Sequence, residues 1–105
     1  MPEFITVYIT CSNNEESKKI GNILVKKRLA ACANIVPEIK SIYWWKNKIE
    51  KDVESLLLIK TKLSLYEKIR KVVKENHSYE TPTINAIPII KGDKKYFKWL
   101  RESVK

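Results

Sequence analysis

At 105 residues, 44% of them hydrophobic and with only two glycines and four prolines, the chain has the make-up of one globular domain and not of a disordered or fibrous polypeptide. The formal net charge of +9 rests on 18 lysines and three arginines (Arg28, Arg70, Arg101), with no stripe rich in both arginine and aromatics, so it reads as a solubilising surface and excludes a dedicated nucleic-acid interface. The longest apolar run, Leu56-Leu57-Leu58-Ile59, is too short to cross a bilayer and no secretory leader pattern is present, so a cytoplasmic location without membrane contact is expected, in which Cys11 and Cys32 stay thiols.

Taken in chain order, Phe4 to Thr10 is β-branched and aromatic, a clear first strand. Ser12-Asn13-Asn14-Glu15 fits a capping box with Ser12 at the N-cap, and opens a helix that carries Ile20, Ile23 and Leu24 at helical spacing and runs to about Leu29. Gly21 inside it weakens the helix and is expected to serve close packing. Ala30 to Val36 is a second strand, closed by Pro37, and Ile39 to Lys46 continues as an extended arm. After the polar Asn47-Lys48 break, Ile49 to Thr61 returns antiparallel, completing a β-hairpin. Ser64-Leu65-Tyr66-Glu67 is a second capping box, leading a helix with Leu65, Ile69, Val72 and Val73 on one face that ends near Asn76. His77 to Pro82 is a loop, Thr83 to Ile90 a strand with Pro88 at an edge or bulge, and Gly92-Asp93 a turn. Tyr96, Phe97, Leu100 and Val104 line a short last helix.

The order β-α-β-β-α-β plus a terminal helix predicts an α+β ferredoxin-like sandwich, with an antiparallel sheet and helices on one face. The other face should alternate with polar residues and meet water. Yet Leu56 to Ile59 and Ile42-Tyr43-Trp44-Trp45 are apolar on both sides. Successive strand side chains point to opposite faces, so Trp44 and Trp45 cannot share one core. A homo-oligomer joined through the sheet follows, with these aromatics packed at the interface.

The chemistry-bearing residues are few. Cys11 ends a strand and precedes a helix N-terminus, a placement that lowers thiol pKa and suits a ligand or a reactive thiol. Thiolate and imidazole together suit copper or zinc, and His77 is the single histidine. One Cys and one His do not close a tetrahedral site, leaving Glu80, Asn76, water or a neighbouring subunit to supply the rest. The alternative is structural: Cys11 a small buried hydrophobe, His77 a cation at the end of the second helix. Cys32, among small residues, reads as core, and Lys60 with Lys62 and Arg28 as solvated cations or an anion site. Enzyme readings fail: there is no glycine-rich phosphate loop, no second histidine, no aromatic RNA-binding stretch at Ser55 to Lys60, and no arginine at Cys11-Ser12-Asn13-Asn14 to hold phosphate.

Four segments resemble the CutA family of divalent-cation tolerance proteins: Arg28-Leu29-Ala30-Ala31-Cys32-Ala33-Asn34-Ile35, Ser41 to Glu50, Ile59-Lys60-Thr61, and His77-Ser78-Tyr79-Glu80-Thr81-Pro82, with Gly92-Asp93, Tyr96 and Trp99-Leu100 matching the family's C-terminus. The resemblance implies one domain over residues 1–105, a homotrimer related in architecture to the PII signal proteins, and binding of divalent copper in metal tolerance. It implies a metal site in which Cys11 and His77 match family ligands and Asn76 stands where the family has a histidine. The second reading is a PII-like trimer that binds a small molecule or anion in the intersubunit cleft with no metal role.

Overall fold

Alternation of apolar and polar residues shapes the first strand of the computed structural model, which describes all 105 residues, Met1–Lys105. Along β1 (Phe4–Cys11), Ile5, Val7, Ile9 and Cys11 are fully buried on one face, while Thr6, Tyr8 and Thr10 lie half-buried on the other. The chain continues through α1 (Asn14–Lys26), β2 (Cys32–Trp45), β3 (Lys48–Lys62), α2 (Tyr66–Asn76), β4 (Ile84–Pro88) and α3 (Lys94–Ser103). Every strand pairs antiparallel with its neighbours, and the sheet order β2-β3-β1-β4 places the two strands joined by α1 on either side of β3. This is the ferredoxin-like, split β-α-β arrangement.

One core lies between the helices and one face of the sheet. Ile20 and Leu24 of α1 and Ile69 and Val73 of α2 pack with Val7, Ile9, Leu57 and Ile59. The register Val7↔Ile59 and Ile9↔Leu57 keeps the buried residues of β1 and β3 on that face. Phe4 stacks on Phe97 of α3, with ring centroids 4.7 Å apart, and fastens the last helix to the start of β1.

Several boundaries differ from those expected. The N-cap of α1 is Asn13, whose side chain accepts the Glu16 N–H (2.9 Å), so the box sits one residue later than Ser12. α1 stops at Lys26, three residues short of Leu29. Arg28 turns left-handed (φ 59°), and the Leu29 and Ala30 N–H groups both donate to the Leu24 carbonyl. Ser64 caps nothing: Leu63–Leu65 forms a 3-10 turn that leads into α2 with no side-chain cap. Pro37 does not end β2. It lies in a register shift between Val36 and Ile39, the bulge setting in which a strand tolerates proline. Val104 lies just beyond α3, where it still packs into the core.

Beyond Phe4, which Phe97 of α3 covers, and the buried Glu54, the second face of the sheet has little cover. Past the bulge, β2 and β3 run on as a two-stranded arm, turned at Lys46 and Asn47, which both have positive φ. By register, Ile42, Trp44, Ile49 and Val53 share one side, and Tyr43, Trp45, Glu50, Asp52 and Glu54 share the other. Ile42 and Trp44 are each 71% exposed, and Tyr43 and Trp45 each 38%. The terminal helix does not wrap them.

Gly21 faces β2: a Cβ built there would lie 3.2 Å from the Ala33 Cβ and 3.4 Å from Leu57 Cδ1. Gly21→Ala should therefore stay within about 1 kcal/mol of wild type, its helix gain offset by crowding. Gly21→Val should overpack the core and lose about 1–3 kcal/mol. Chemical denaturation checks both, and a stabilised valine variant would show that α1 stands further from the sheet.

Candidate metal centre

The end of β1, the start of α1 and the loop after α2 converge on one point. There the Cys11 thiol, a Glu16 carboxylate oxygen and a His77 ring nitrogen all lie within 4.8 Å of one another. The positions follow from local structure. Alternation along β1 turns Cys11 into the core, the first turn of α1 carries Glu16 beneath its own N-cap, and α2 ends at Asn76, so His77 leaves the helix with an extended backbone.

His77 has both ring nitrogens engaged. Nε2 lies 2.8 Å from the Thr10 carbonyl, and Nδ1 accepts the Tyr79 N–H at 3.0 Å. A carbonyl only accepts and a backbone N–H only donates, so the pattern requires the neutral ring with its proton on Nε2. Nδ1 is also 3.7 Å from Glu16 Oε1. Glu16 in turn accepts the Ser12 N–H (3.0 Å) and hydroxyl (3.1 Å) on Oε1 and the Ser78 N–H (2.8 Å) on Oε2. Burial pushes its carboxyl pKa up, but the Ser12 and Ser78 donors outweigh that and hold it below its ordinary value.

Cys11 is fully buried, and burial, with the Glu16 and Glu54 carboxylates, pushes its thiol up to about 11 against a hydrogen bond with Ser17 that pulls the other way. The expected lowering by the helix N-terminus is overturned: Glu16 and Ser17 in the first turn fill that end, and desolvation dominates. Asn76 donates its side-chain amide to the Val72 carbonyl of its own helix (2.8 Å), so only its amide oxygen is left to offer. The carboxylate beside Cys11 and His77 is Glu16, which sequence reasoning passed over. The Asn13-x-x-Glu16 spacing, a capping box one residue along, was the signal for it. Burial holds the Cys11 thiol's pKa up and the Tyr79 N–H takes the imidazole lone pair, so ligation of an ion by this cluster would require both to be released.

Other expected sites are placed elsewhere. Cys32 lies on the open face of the edge strand, half-buried opposite Lys60, and not in the core. Lys60 donates to Asn34 Oδ1, Lys62 to the Lys105 carbonyl and Arg28 to the Ser103 carbonyl, so the three cations do not gather round an anion. On the open face near the arm, Tyr79 donates its hydroxyl to Glu54 Oε2 (2.6 Å), beside a cavity of about 610 Å³.

The fold and this cluster define a ferredoxin-like α+β protein with a thiol, an imidazole and a carboxylate gathered at the end of its first strand. The sequence pattern of the family described as CutA1 divalent ion tolerance protein matches residues 5–103, and the chain belongs to that family. Protein CutA 1, chloroplastic, of Oryza sativa subsp. japonica is 45% identical over 101 residues, which are 96% of this chain and 57% of its own length. The divalent-cation tolerance protein CutA of Archaeoglobus fulgidus is 45% identical over 98 residues, 93% of this chain and 95% of its own. The crystal structure of CutA1 from Oryza sativa superposes with a TM-score of 0.95 at 43% identity, covering 99% of this chain and 95% of that one. The structure of the periplasmic divalent cation tolerance protein CutA from Archaeoglobus fulgidus gives 0.94 at 42% identity, covering 97% of this chain and 99% of that one. This chain thus spans little more than half the length of the plant relative and nearly all of the archaeal one. No helix is long and apolar enough to cross a membrane. The relatives' names include both chloroplastic and periplasmic proteins, so the family does not carry the expected cytoplasmic location.

Two outcomes follow. His77→Ala should cost about 1–3 kcal/mol, because it strips the Thr10 carbonyl and the Tyr79 N–H of their partner. It should also speed hydrogen exchange at Tyr79, and unchanged exchange would mean that the ring does not hold the loop. A carboxyl lowered by folding adds stability that is complete above its unfolded pKa and is lost as pH falls through its folded one. Thermal unfolding of wild type should therefore lose stability below pH 4.5, the ordinary carboxyl value, more steeply than Glu16→Gln.

Proposed function

We propose that this chain acts in divalent-cation tolerance as a homotrimer, and that the ion it meets, divalent copper first among them, is a transient effector captured at Cys11 and His77. The observation that carries the reading is the convergence of thiol, carboxylate and imidazole within 4.8 Å in a member of this family. Capture requires the thiol to lose its proton and the ring to give up Thr10 or Tyr79. Binding is then weak, strengthens as pH rises, and loosens the loop after α2. A thiol and an imidazole favour copper among the divalent ions. Asn76 takes part through its amide oxygen alone, a poorer donor than an imidazole. The protein is not an enzyme in this reading: it binds and responds.

Assembly is supported by the arm. A surface with Ile42 and Trp44 largely exposed on one side and Tyr43 and Trp45 on the other is an interface in waiting. Two strands joined only to each other are marginal in water until a further layer covers them. The number three comes with the family resemblance.

Native mass spectrometry of metal-free protein, then with added Cu²⁺, should show a trimer taking up one ion per chain. The Cys11→Ala, His77→Ala double variant should lose that uptake. Asn76→His should raise Cu²⁺ affinity at least tenfold. Equal uptake by the double variant would remove Cys11 and His77 from the metal, and a monomeric mass at micromolar concentration would sink the assembly.

A further inference from the structure

Of the three groups that meet at the end of β1, Glu16 alone reaches solvent. Cys11 and the His77 ring are fully buried, whereas the Glu16 side chain is 10% exposed. An ion arriving from water therefore meets the carboxylate before it meets the sulfur or the ring. The Ser12 and Ser78 N–H groups hold that carboxylate in place, at 3.0 Å and 2.8 Å. Backbone donors of this kind fix a ligating carboxylate without blocking both of its oxygens. The Ser12 hydroxyl, 3.1 Å from Oε1, is the donor most easily displaced, because it can turn to water.

His77 already holds the tautomer of a ligating ring. Its Nε2 proton points to the Thr10 carbonyl at 2.8 Å, the arrangement by which a backbone carbonyl orients a metal-bound imidazole. The lone pair then lies on Nδ1, and Nδ1 is 3.7 Å from Glu16 Oε1. Two ligand atoms on one tetrahedral ion, with bonds of about 2.0–2.3 Å, stand roughly 3.3–3.6 Å apart. Nδ1 and Oε1 are thus close to a chelating spacing as folded. The Cys11 sulfur belongs to the same group, whose ligand atoms all lie within 4.8 Å of one another.

We propose that Glu16 is the third ligand of the ion-capture site, chelating the ion together with His77 Nδ1 while Cys11 supplies sulfur. The inference rests on the metal reading above and deepens it. Capture displaces the Tyr79 N–H from Nδ1 and the Ser12 hydroxyl from Oε1, and leaves the Thr10 contact in place. The thiol proton goes to solvent as the sulfur binds, and a fourth position stays open. Oxygen, nitrogen and sulfur together suit zinc, cobalt and divalent copper, and disfavour magnesium and calcium, which take oxygen alone.

Zn²⁺ is the probe, because it has no redox chemistry with a thiol. It is titrated into the assembled protein, isotope-labelled at glutamate Cδ and the histidine nitrogens, and followed by NMR. The Glu16 Cδ and His77 Nδ1 resonances should shift saturably at one ion per chain, with Nε2 still protonated. Glu16→Gln should weaken binding at least tenfold. Ser12→Ala, which removes the competing hydroxyl, should strengthen it about threefold. No uptake by wild type, or undiminished uptake by the Cys11→Ala, His77→Ala double variant, removes the metal reading and this inference with it. Uptake that needs Cys11 and His77 but survives Glu16→Gln, or leaves Glu16 Cδ unmoved, overturns this inference alone. So does Zn²⁺ on Nε2, or a Ser12 variant that binds no better than wild type. If Glu16→Gln does not fold, the wild-type resonances and Ser12→Ala decide.

Discussion

β3 pairs with β1 along its C-terminal half and with β2 from Lys48 to Lys60, and that double pairing decides where every group of interest lies. Through β1 it sets which residues enter the core, since Val7, Ile9 and Cys11 must face the same way as Ile59, Leu57 and Ser55. Through β2 it carries the same alternation out past the helices, where nothing remains to face. The chain has one main layer of helices and a sheet with two sides, and the apolar residues left on the second side are what the proposed assembly would cover. Burial thus divides this molecule into a finished half and an unfinished one.

The cluster at the end of β1 sits where the finished half is tightest. Cys11, Glu16 and His77 meet as components of a clasp that ties β1, α1 and the loop after α2 together, with each polar atom spoken for by backbone or hydroxyl. The ion capture proposed there would compete with folding contacts, which would make it conditional and suit a responder better than a store. Tyr79 gives the clasp its reach. Its N–H is held by His77 and its hydroxyl by Glu54, so one residue spans the cluster and the cavity on the open face. Release of the first contact would be felt at the second.

Much of this was legible in the residues. The alternation in Phe4 to Thr10, the helical spacing of Ile20, Ile23 and Leu24, and the paired tryptophans gave element types and order, because each pattern has its own period. Boundaries were harder. Asn13 and Ser12 are equal candidates for a cap, and which one wins depends on Ser12 being drawn to the Glu16 carboxylate, a tertiary detail. Pro37 reads as a stop until a bulge accommodates it. The ionisation of Cys11 was misjudged because a helix N-terminus is visible in sequence, whereas the density of the core around a thiol is not. The spacing from Asn13 marked Glu16 only as a capping partner, and Glu54 carried no mark at all, for a like reason. Carboxylates are common on surfaces, and only the fold shows that these two are not on one.

The arm has a length that cannot drift. From Ile39 to Trp45 each residue is matched one to one with β3, and the turn at Lys46 and Asn47 leaves no slack. Inserting one residue in β2 between Ile39 and Trp44 would trade the sides of Trp44 and Trp45, setting each against the other's neighbours on β3. Swapping one aromatic for another would leave the frame intact. The hairpin therefore behaves like a ruled scale, forgiving about what is written at each mark and strict about the number of marks.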